Sequence, residues 1–361
     1  MDVAGGGYRM NRLLSKVRFS NNTMSMIMAV IIVLLSLSVA AYAALNAYSS
    51  IEVESGSLAG GATSVPDSSS SSGNAVKFGS ASEPGDCTVP TVGAGGYPLP
   101  DLTGRANPCN TGPRYECTST HNGNFATSSD GQVIEGMCIN GELRVNHNNV
   151  TVRDTTIISG GLYGLDIGRD SQTCPTNTHV EYVEIDKSPA DGIPWGTFQR
   201  CPGGQTFDRI LMHNVGRGMM IYGNITVTNS YIYSHLTTEG AHRTGISTHG
   251  GDNFTVTGNT FICVNTGCSS SVNMYSDYAP VTNYLLQDNL VAGGSICIRG
   301  GQTHTYPDDT ENIRILNNRL STIYAPQCGT LQALAQFDSG APGNIRSGNV
   351  WHETGLPITG E

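Results

Sequence analysis

The chain has 361 residues, of which 38% are hydrophobic and 13% are charged, and its formal net charge is −10. That length is sufficient for a sizeable core, and the apolar content excludes a chain that is disordered throughout. Only three lysines occur, and because the acidic balance is diffuse and there is no basic stripe, a nucleic-acid partner is not expected.

The first predicted element is a transmembrane helix at residues 24–46, which contain no charged side chain and are numerous enough to cross a bilayer. The basic residues before it are Arg9, Arg12, Lys16 and Arg18, and no comparable cluster follows. The positive-inside rule then leaves residues 1–23 as a short cytoplasmic tail and exports the rest of the chain. The tripeptide AYA at 41–43 is also typical of a signal-peptidase site. The segment is therefore either a single-pass membrane anchor with an extracellular C-terminal domain or the cleaved signal of a secreted protein.

Residues 47–86 are rich in Ser and Gly and predict a solvated stalk. Two stretches within them, IEVESGSL at 51–58 and NAVKFG at 74–79, resemble the opening strands of β-sandwich carbohydrate-binding modules. The match is far shorter than a whole sandwich. The resemblance therefore implies at most the remnant of a sugar-binding unit.

All ten cysteines follow residue 86, and an even number of cysteines in an exported chain predicts disulfides. Residues 87–140 contain four of them and are expected to form an entry segment that caps the next domain. Proximity in a repeating fold favours the pairs Cys117–Cys138, Cys263–Cys268 and Cys297–Cys328. No CxxC pair is present, so a structural zinc site is not expected.

Over residues 141–361, short strand-like segments recur with a spacing close to 30 residues. They are rich in Val, Ile and Thr, alternate in polarity and are separated by Gly and Asn, as strands are. They begin near Asn149, His179, Phe207, Asn224, Asn253, Asn283 and Asn312, and NIRSGNVW from residue 344 closes the series. A fixed period of this size predicts a solenoid, here an all-β, right-handed parallel β-helix. Asn tolerates the left-handed backbone conformation at sharp corners, and stacked Asn side chains hydrogen-bond from coil to coil.

A second set of strands lies between the first. Its members are GLDIG (164–168), GIPWG (192–196), MMIYG (219–223), GISTHG (245–250), VNMYS (272–276), ICIRG (296–300) and LAQFD (334–338). Alternation points Ile246, Thr248, Val272, Met274, Ile296 and Ile298 inward. Alignment of the strands then predicts an outward ladder of side chains from successive coils: Trp195, Tyr222, His249, Tyr275 and Arg299.

Coils stack about 4.8 Å apart, so this predicted ladder would extend roughly 19 Å, a length that suits several sugar rings end to end. Aromatic faces cover the apolar faces of sugars, while Arg and His hydrogen-bond hydroxyls or carboxylates. The alternative is that a long loop covers the ladder and its aromatic rings are merely packed.

Three stretches of the second half carry a family resemblance: HRTGISTHGGDNFTVTGNTF (242–261), CSSSVNMYSDYAPVTNYLLQDNLVAGGSICIRGG (268–301), and NIRILNNRLSTIYAPQCG followed by FDSGAPGNIRSGNVWHETG (312–355). They resemble exported bacterial right-handed parallel β-helix repeat proteins of the pectate-lyase-like superfamily, within a group of no settled function. The resemblance implies the fold. It implies function only weakly, because the superfamily holds lyases, hydrolases, epimerases, adhesins and non-catalytic members.

A polysaccharide lyase needs a base for the proton α to a uronate carboxylate and a cation for the resulting charge. The candidates are His249 or His242 as base and Arg299 or Arg243 as charge stabiliser. The resemblance to calcium-dependent lyases of the superfamily would imply a compact Asp cluster that binds Ca²⁺. The sequence shows no such cluster, so it does not require Ca²⁺ as a cofactor and leaves it as an option. A glycoside hydrolase would use Asp residues on neighbouring coils, and Asp191, Asp277 and Asp338 are not on neighbouring ones.

The predicted substrate-binding residues are Trp195, Tyr222, Tyr275, Asn273 and Asp277. Asp277 is alternatively part of a fixed turn with Pro280. A metal site at His235, His242 and His249 is not favoured, because a spacing of seven residues would align them only on a helix and the surrounding Thr, Gly and Ser do not favour one. The sequence therefore predicts a cell-surface protein that binds polysaccharide, with catalysis left open and no oligomeric state assigned. The alternative is a non-catalytic adhesin or envelope scaffold that binds a protein or a host surface.

Overall fold

The chain divides into two units, residues 1–78 and 79–361. The computed structural model describes residues 63–66, 74–77, 87–171, 174–187, 195–236, 242–264, 267–302, 306 and 309–359. The predicted tail and the apolar segment 24–46 lie outside these residues, as does most of the stalk. No helix in the described part of the chain is long and apolar enough to cross a membrane.

In the first unit, two short strands, β1 (Thr63–Pro66) and β2 (Asn74–Lys77), pair in antiparallel fashion. The second unit begins with a 3-10 turn at Ala94–Gly96 and is otherwise built of strands. In chain order these are β3 (Ser119–Asn122), β4 (Phe125–Ala126), β5 (Val133–Glu135), β6 (Met137–Asn140), β7 (Leu143–Val145), β8 (Thr151–Ile158), β9 (Tyr163–Ile167), β10 (His179–Asp186), β11 (Trp195–Gln199), β12 (Gln205–Asp208), β13 (Leu211–Val215), β14 (Arg217–Met220), β15 (Gly223–Thr228), β16 (Tyr231–Ser234), β17 (Arg243–Thr248), β18 (Gly251–Thr257), β19 (Thr260–Cys263), β20 (Cys268–Met274), β21 (Val281–Gln287), β22 (Leu290–Gly293), β23 (Ile296–Gly300), β24 (Glu311–Leu316), β25 (Arg319–Ser321), β26 (Gln332–Ala335), β27 (Ile345–Ser347) and β28 (Val350–Trp351).

Each strand of the second unit pairs in parallel with the strand one coil away, and the strands form three long faces. Face one is β5, the first halves of β8 and β10, and then β12, β15, β18, β21, β24 and β27. Face two is β3, β6, the second halves of β8 and β10, and then β13, β16, β19, β22, β25 and β28. Face three is β4, β7, β9, β11, β14, β17, β20, β23 and β26. The protein is all-β, and this arrangement of parallel sheets is that of a β-helix or solenoid.

The three faces share one apolar core that runs along the coils. On face one, the inward residues Ile225, Phe254, Tyr284 and Ile313 are register partners in consecutive coils. On face three, the predicted inward direction is confirmed for Ile246, Val272, Met274 and Ile298, which belong to this core, and Thr248 is buried. Ile296 is only partly buried because it begins its strand.

Buried asparagines join consecutive coils where face one meets face two. Asn259, Asn289, Asn318 and Asn349 begin or precede the face-two strands, and each of the last three accepts a hydrogen bond through its Oδ1 from the backbone N–H of the one before it, over 2.8–3.0 Å. Their Nδ2 groups donate to carbonyls on face one, as Asn289 does to Val256 at 3.0 Å. We call this set the buried asparagine ladder. It satisfies backbone groups that the corner would otherwise leave unpaired.

A second, exposed line of asparagines begins the face-one strands. Asn149, Asn177, Asn224, Asn253, Asn283 and Asn312 all have a left-handed backbone conformation. Their side chains bond in pairs from coil to coil, as between Asn253 and Asn224 at 3.1 Å. Both roles predicted for asparagine, turning the corner and stacking between coils, are therefore confirmed.

All ten cysteines form disulfides, and these five bonds indicate an oxidising, extracellular environment. The three predicted pairs, Cys117–Cys138, Cys263–Cys268 and Cys297–Cys328, are confirmed. The pairs Cys87–Cys109 and Cys174–Cys201 were not predicted.

Residues 87–112, which we call the strap, lie over the outer side of face two. Leu99 and Leu102 of the strap pack with Tyr231, Ile262 and Leu290 in a second apolar cluster. Hydrogen bonds fix the strap at both of its sides: Tyr233 Oη donates to Ala94 O at 2.7 Å, and Gly112 N donates to Arg209 O at 2.9 Å. The strap therefore covers the outer side of face two.

We expect Asn289→Ala to lower the free energy of unfolding by about 2–3 kcal/mol, because it leaves the Asn259 N–H and the Val256 carbonyl buried without partners. Asn140→Ala, which removes an exposed pair with Asn122, is the control and is expected to cost under about 0.5 kcal/mol. Urea unfolding followed by circular dichroism measures both. Equal losses for the two variants would contradict a structural role for the ladder.

Candidate functional site

The outward side of face three carries one side chain per coil in strict register. The members of this line are Arg144, Asp166, Phe198, Met220, Ser247, Asn273, Arg299 and Ala335. Its first part is charged, because Arg200 forms a bidentate pair with Asp166 at 2.7 and 2.5 Å. Beyond Phe198 the line becomes uncharged until Arg299. The candidate site lies along that uncharged stretch.

The predicted ladder of five residues in one register is correct at its centre and wrong at its two ends. Met220, Ser247 and Asn273 are register partners in consecutive coils. Two positions after each of them comes a ladder residue, Tyr222, His249 or Tyr275, so these three are in register. Trp195, in contrast, begins its strand and pairs with Tyr163 and Arg217. Arg299 pairs with Asn273 and so lies two positions earlier than predicted.

The physical reason for the error at Trp195 is a break in alternation where face three begins. A Cβ on Gly196 would lie 2.1 Å from Met212 Sδ, so this glycine faces the interior and allows face three to approach face two closely. Thr197, the next residue, is also buried. Trp195 and Phe198 therefore both face outward, with ring centroids 5.5 Å apart. The prediction aligned the last residues of the strand segments and so put Trp195 at the wrong position of the ladder.

A groove of about 440 Å³ opens on this part of face three. It is lined by Trp195, Arg217, His242, Thr244, Ser247, His249, Asn273, Tyr275 and Tyr278. Of the nine residues predicted to form the site, the structure brings five together here: Trp195, His242, His249, Asn273 and Tyr275. A volume of this size is within the usual range for small-molecule sites, about 300–1,000 Å³.

His249 and Asp277 form a close pair at the groove. His249 Nδ1 lies 2.5 Å from Asp277 Oδ2, and both side chains are about one quarter exposed. A carboxylate accepts a hydrogen bond, so Nδ1 is the donor and the neutral ring carries its lone pair on Nε2. Asp277, predicted to bind substrate, lies outside the groove lining and contacts His249.

Three aromatic rings meet at the same place. The His249 ring centroid is 5.4 Å from that of Tyr275 and 5.6 Å from that of Tyr278. The backbone N–H of Tyr278 donates to His249 O at 2.9 Å, which fixes the turn that follows β20. Tyr278 is 73% exposed, so it offers an accessible aromatic face at the edge of the groove.

Arg217 supplies the positive charge of the groove. Its guanidinium lies over the Trp195 ring at 4.7 Å, and its Nε donates to His242 O at 2.9 Å. It forms no ion pair with any described residue, and burial lowers the pKa of its guanidinium. A partly buried cation without a carboxylate partner favours the binding of an acidic or strongly polar group beside it.

Two buried polar atoms in the groove wall have no hydrogen-bond partner among the described residues. They are Asn273 Oδ1 and Thr244 Oγ1, and their residues are 2% and 3% exposed. Asn273 Nδ2 is already used, since it donates to Ser247 Oγ at 3.3 Å. Buried polar atoms normally have partners, so these two are candidates to bond a ligand.

The other predicted site residues lie outside the groove lining. Arg243 is fully buried and donates through Nη2 to Val264 O at 2.7 Å, so it is not placed to stabilise charge on a ligand. The guanidinium of Arg299 bonds Ser270 Oγ at 2.9 Å and Gln336 Oε1 at 2.7 Å. It also lies 5.7 Å from the Tyr275 ring, next to the groove. The Tyr222 ring lies 6.1 Å from Phe198, towards the charged part of face three.

The three histidines spaced seven apart do not converge. His235 is buried and stacks on Tyr233 at 5.0 Å on the outer side of face two, whereas His242 and His249 line the groove of face three. Within the described part of the chain, no group of three or more His, Cys, Asp or Glu side chains could hold a metal ion. Asp191, considered for hydrolysis, lies outside the described residues.

Sequence reasoning missed four groove residues: Arg217, Thr244, Ser247 and Tyr278. Tyr278 follows Asp277 in the segment before Pro280, which the sequence analysis explained as a fixed turn. Arg217 and Thr244 occupy the start of their strands, where the assumed alternation fails. Gly196, Gly218 and Gly245 occupy equivalent inward positions in consecutive coils, where a Cβ would be crowded. This recurring glycine is the sequence signal for the break in alternation.

The sequence matches no family model, and comparison with curated proteins and with solved structures finds no match.

We expect the neutral His249 ring to carry its proton on Nδ1 and Asp277→Asn to shift the population toward the Nε2-protonated form, because an amide nitrogen can donate to Nδ1. Two-bond ¹H–¹⁵N correlation spectra of the imidazole nitrogens distinguish the two tautomers. His147, whose Nδ1 contacts Thr127 Oγ1 at 2.8 Å far along the chain, is the internal control and should not change. An unchanged His249 signal in the variant would contradict the pairing.

Proposed function

We propose that this chain is an exported β-helix protein that binds polysaccharide in the face-three groove. The proposal includes a right-handed coil, kinship with the pectate-lyase-like superfamily and attachment to the bacterial cell surface through residues 24–46, or secretion after cleavage. The five disulfides and the parallel sheets support export and a solenoid. The hydrophobicity of residues 24–46 supports the membrane segment.

The composition of the groove is the observation that carries the proposal. Sugars need an apolar face for their C–H groups and polar atoms for their hydroxyls. Tyr275 and Tyr278 supply the first, and Asn273 Oδ1 and Thr244 Oγ1 supply the second. Arg217 adds a charge that would pair with an acidic sugar.

Cleavage by elimination is the reaction that the groove supports best. His249 Nε2 would take the proton from the carbon α to a uronate carboxylate, the C–O bond to the next sugar would break, and a C=C bond would form. The leaving oxygen would receive a proton from solvent or from His242. Arg217 lines the same groove and Arg299 lies next to it, and a cation in either place would stabilise the charge that develops on the carboxylate.

A non-catalytic adhesin or scaffold is the second candidate, and the state of Trp195 favours it. Trp195 is only 8% exposed, and Arg217 lies over its ring. The accessible aromatic surface is therefore shorter than the five-residue ladder predicted from the sequence. A short patch with one prominent tyrosine also suits the binding of a protein or a host surface.

We expect the protein to bind an acidic polysaccharide and Tyr278→Ala to weaken binding about 2- to 12-fold, since an aromatic contact contributes roughly 0.5–1.5 kcal/mol. Isothermal titration against a panel of neutral and acidic polysaccharides measures the affinity. Tyr115→Ala removes another exposed tyrosine outside the groove and should bind as the wild type does. Wild-type protein that binds no member of the panel would exclude the proposal and leave the adhesin.

If the bound glycan is cleaved, we expect absorbance at about 235 nm from the unsaturated uronate to rise with time. His249→Ala should lower the rate of that rise at least ~100-fold, the usual contribution of a general base. Asp277→Asn should lower the rate by a smaller factor. Arg243→Lys is a control for a buried residue outside the groove and should keep activity in proportion to the folded fraction. Binding without any rise in absorbance would assign the groove to recognition alone.

A further inference from the structure

A second pocket, of about 580 Å³, lies between the strap and the C-terminal coils of face two. The strap contributes Leu99 and Arg105 to its wall, and the coils contribute Arg319, Ile323 and His352. The pocket belongs to a different face from the groove described above. Its residues have no part in the function proposed for that groove.

Two arginines without carboxylate partners line this pocket. Neither Arg105 nor Arg319 takes part in an ion pair with a described residue, whereas Arg144, Arg169 and Arg200 do. Burial lowers the pKa of Arg105, and the positive charge of Arg319 lowers that pKa further, with Asp288 opposing. Two like charges in a partly buried setting repel each other unless an anion lies between them.

The carboxylates of the pocket are already engaged with other groups. Glu353 accepts hydrogen bonds from the backbone N–H and the hydroxyl of Thr322, both at 3.0 Å. Asp101 accepts one from the backbone N–H of Thr103 at 3.0 Å. These donors are uncharged, so both carboxylates keep their negative charge, but neither forms an ion pair with Arg105 or Arg319, whose guanidiniums therefore have N–H groups available to a ligand.

The remaining lining suits an organic ligand. Leu99, Pro100 and Ile323 give the pocket an apolar wall. Its volume is within the range of pockets that hold small molecules. His352 is held by the strap, since its Nε2 donates to Asp101 O at 2.8 Å, so the pocket depends on the strap being in place.

We propose that this pocket binds the oxyanion of a sugar-sized ligand, a sulfate, phosphate or carboxylate group, between Arg105 and Arg319. Guanidinium groups bind such oxyanions through two parallel N–H···O bonds each. The apolar wall would contact the carbon skeleton of the ligand. Because the ligand would contact both the strap and face two, binding would stabilise the folded protein against unfolding.

The test measures the thermal midpoint of the full-length protein in sodium sulfate, sodium phosphate and sodium glucuronate, with sodium chloride keeping the ionic strength constant. We expect at least one oxyanion to raise the wild-type midpoint in a saturable manner. Arg319→Gln should abolish that rise or weaken the apparent affinity at least tenfold. Without added oxyanion, the same variant should melt no lower than the wild type, because a repulsion has been removed.

Arg153→Gln is the matched control, since Arg153 is exposed, pairs with the exposed Glu135 and lies on face one. It should keep the full oxyanion response. Arg105→Gln provides a second test should Arg319→Gln fail to fold. An equal response in wild type and both arginine variants, or no saturable response in the wild type, would overturn the proposal. A preference for sulfate or phosphate would identify an ester group, and a preference for glucuronate would identify a uronic acid.

Discussion

The buried asparagine ladder is the interaction on which the C-terminal half of the β-helix depends, because it sets how the coils that carry it stack on one another. In these coils, from Asn259 to Asn349, one asparagine side chain accepts from the backbone of the neighbouring coil and donates to a carbonyl of face one. A shift of one residue would turn the inward side chains of a strand outward. The ladder prevents such a shift, since its polar groups are buried and would lose all their partners together. It therefore keeps faces one and two in a constant register.

Face three has no such ladder among its described residues, yet its strands keep their register. On face one the partners Ile225, Phe254, Tyr284 and Ile313 are separated by 29, 30 and 29 residues. In the same coils of face three, the partners Met220, Ser247, Asn273 and Arg299 are separated by 27, 26 and 26 residues. Face three also carries the groove, where the turn after β20 adds Tyr278 to the regular line of strand residues, as expected where loops bring functional side chains onto a regular scaffold.

Sequence reasoning could predict what repeats locally. The Asn-flanked strands, the inward direction of Ile246 and Val272, and the disulfide between Cys263 and Cys268 all follow from alternation, spacing or proximity. The second short strand of each coil, on face two, was merged with the first because only one or two corner residues separate them, as Gly258 and Asn259 do.

Contacts between distant parts of the chain gave no sequence signal. The strap packs on face-two residues more than a hundred positions later, as the bond between Tyr233 and Ala94 shows, and no period or motif marks that contact. The same limit applies to the pair of His249 and Asp277. Their separation of 28 residues is close to one coil, but only the structure shows that the turn after β20 carries Asp277 back over the neighbouring coil.

The distribution of paired and unpaired arginines connects the groove with the pocket under the strap. Several arginines that serve the fold have a carboxylate partner, as Arg200 has Asp166 and Arg114 has Asp154, whereas Arg299 bonds Ser270 and Gln336. Such pairing offsets the cost of removing a guanidinium from water. Arg217 in the groove, like Arg105 and Arg319 under the strap, is partly buried without that compensation. In the two sites proposed above, an anionic ligand would supply that partner, and the sites, on different faces of one solenoid, would bind ligands of the same charge.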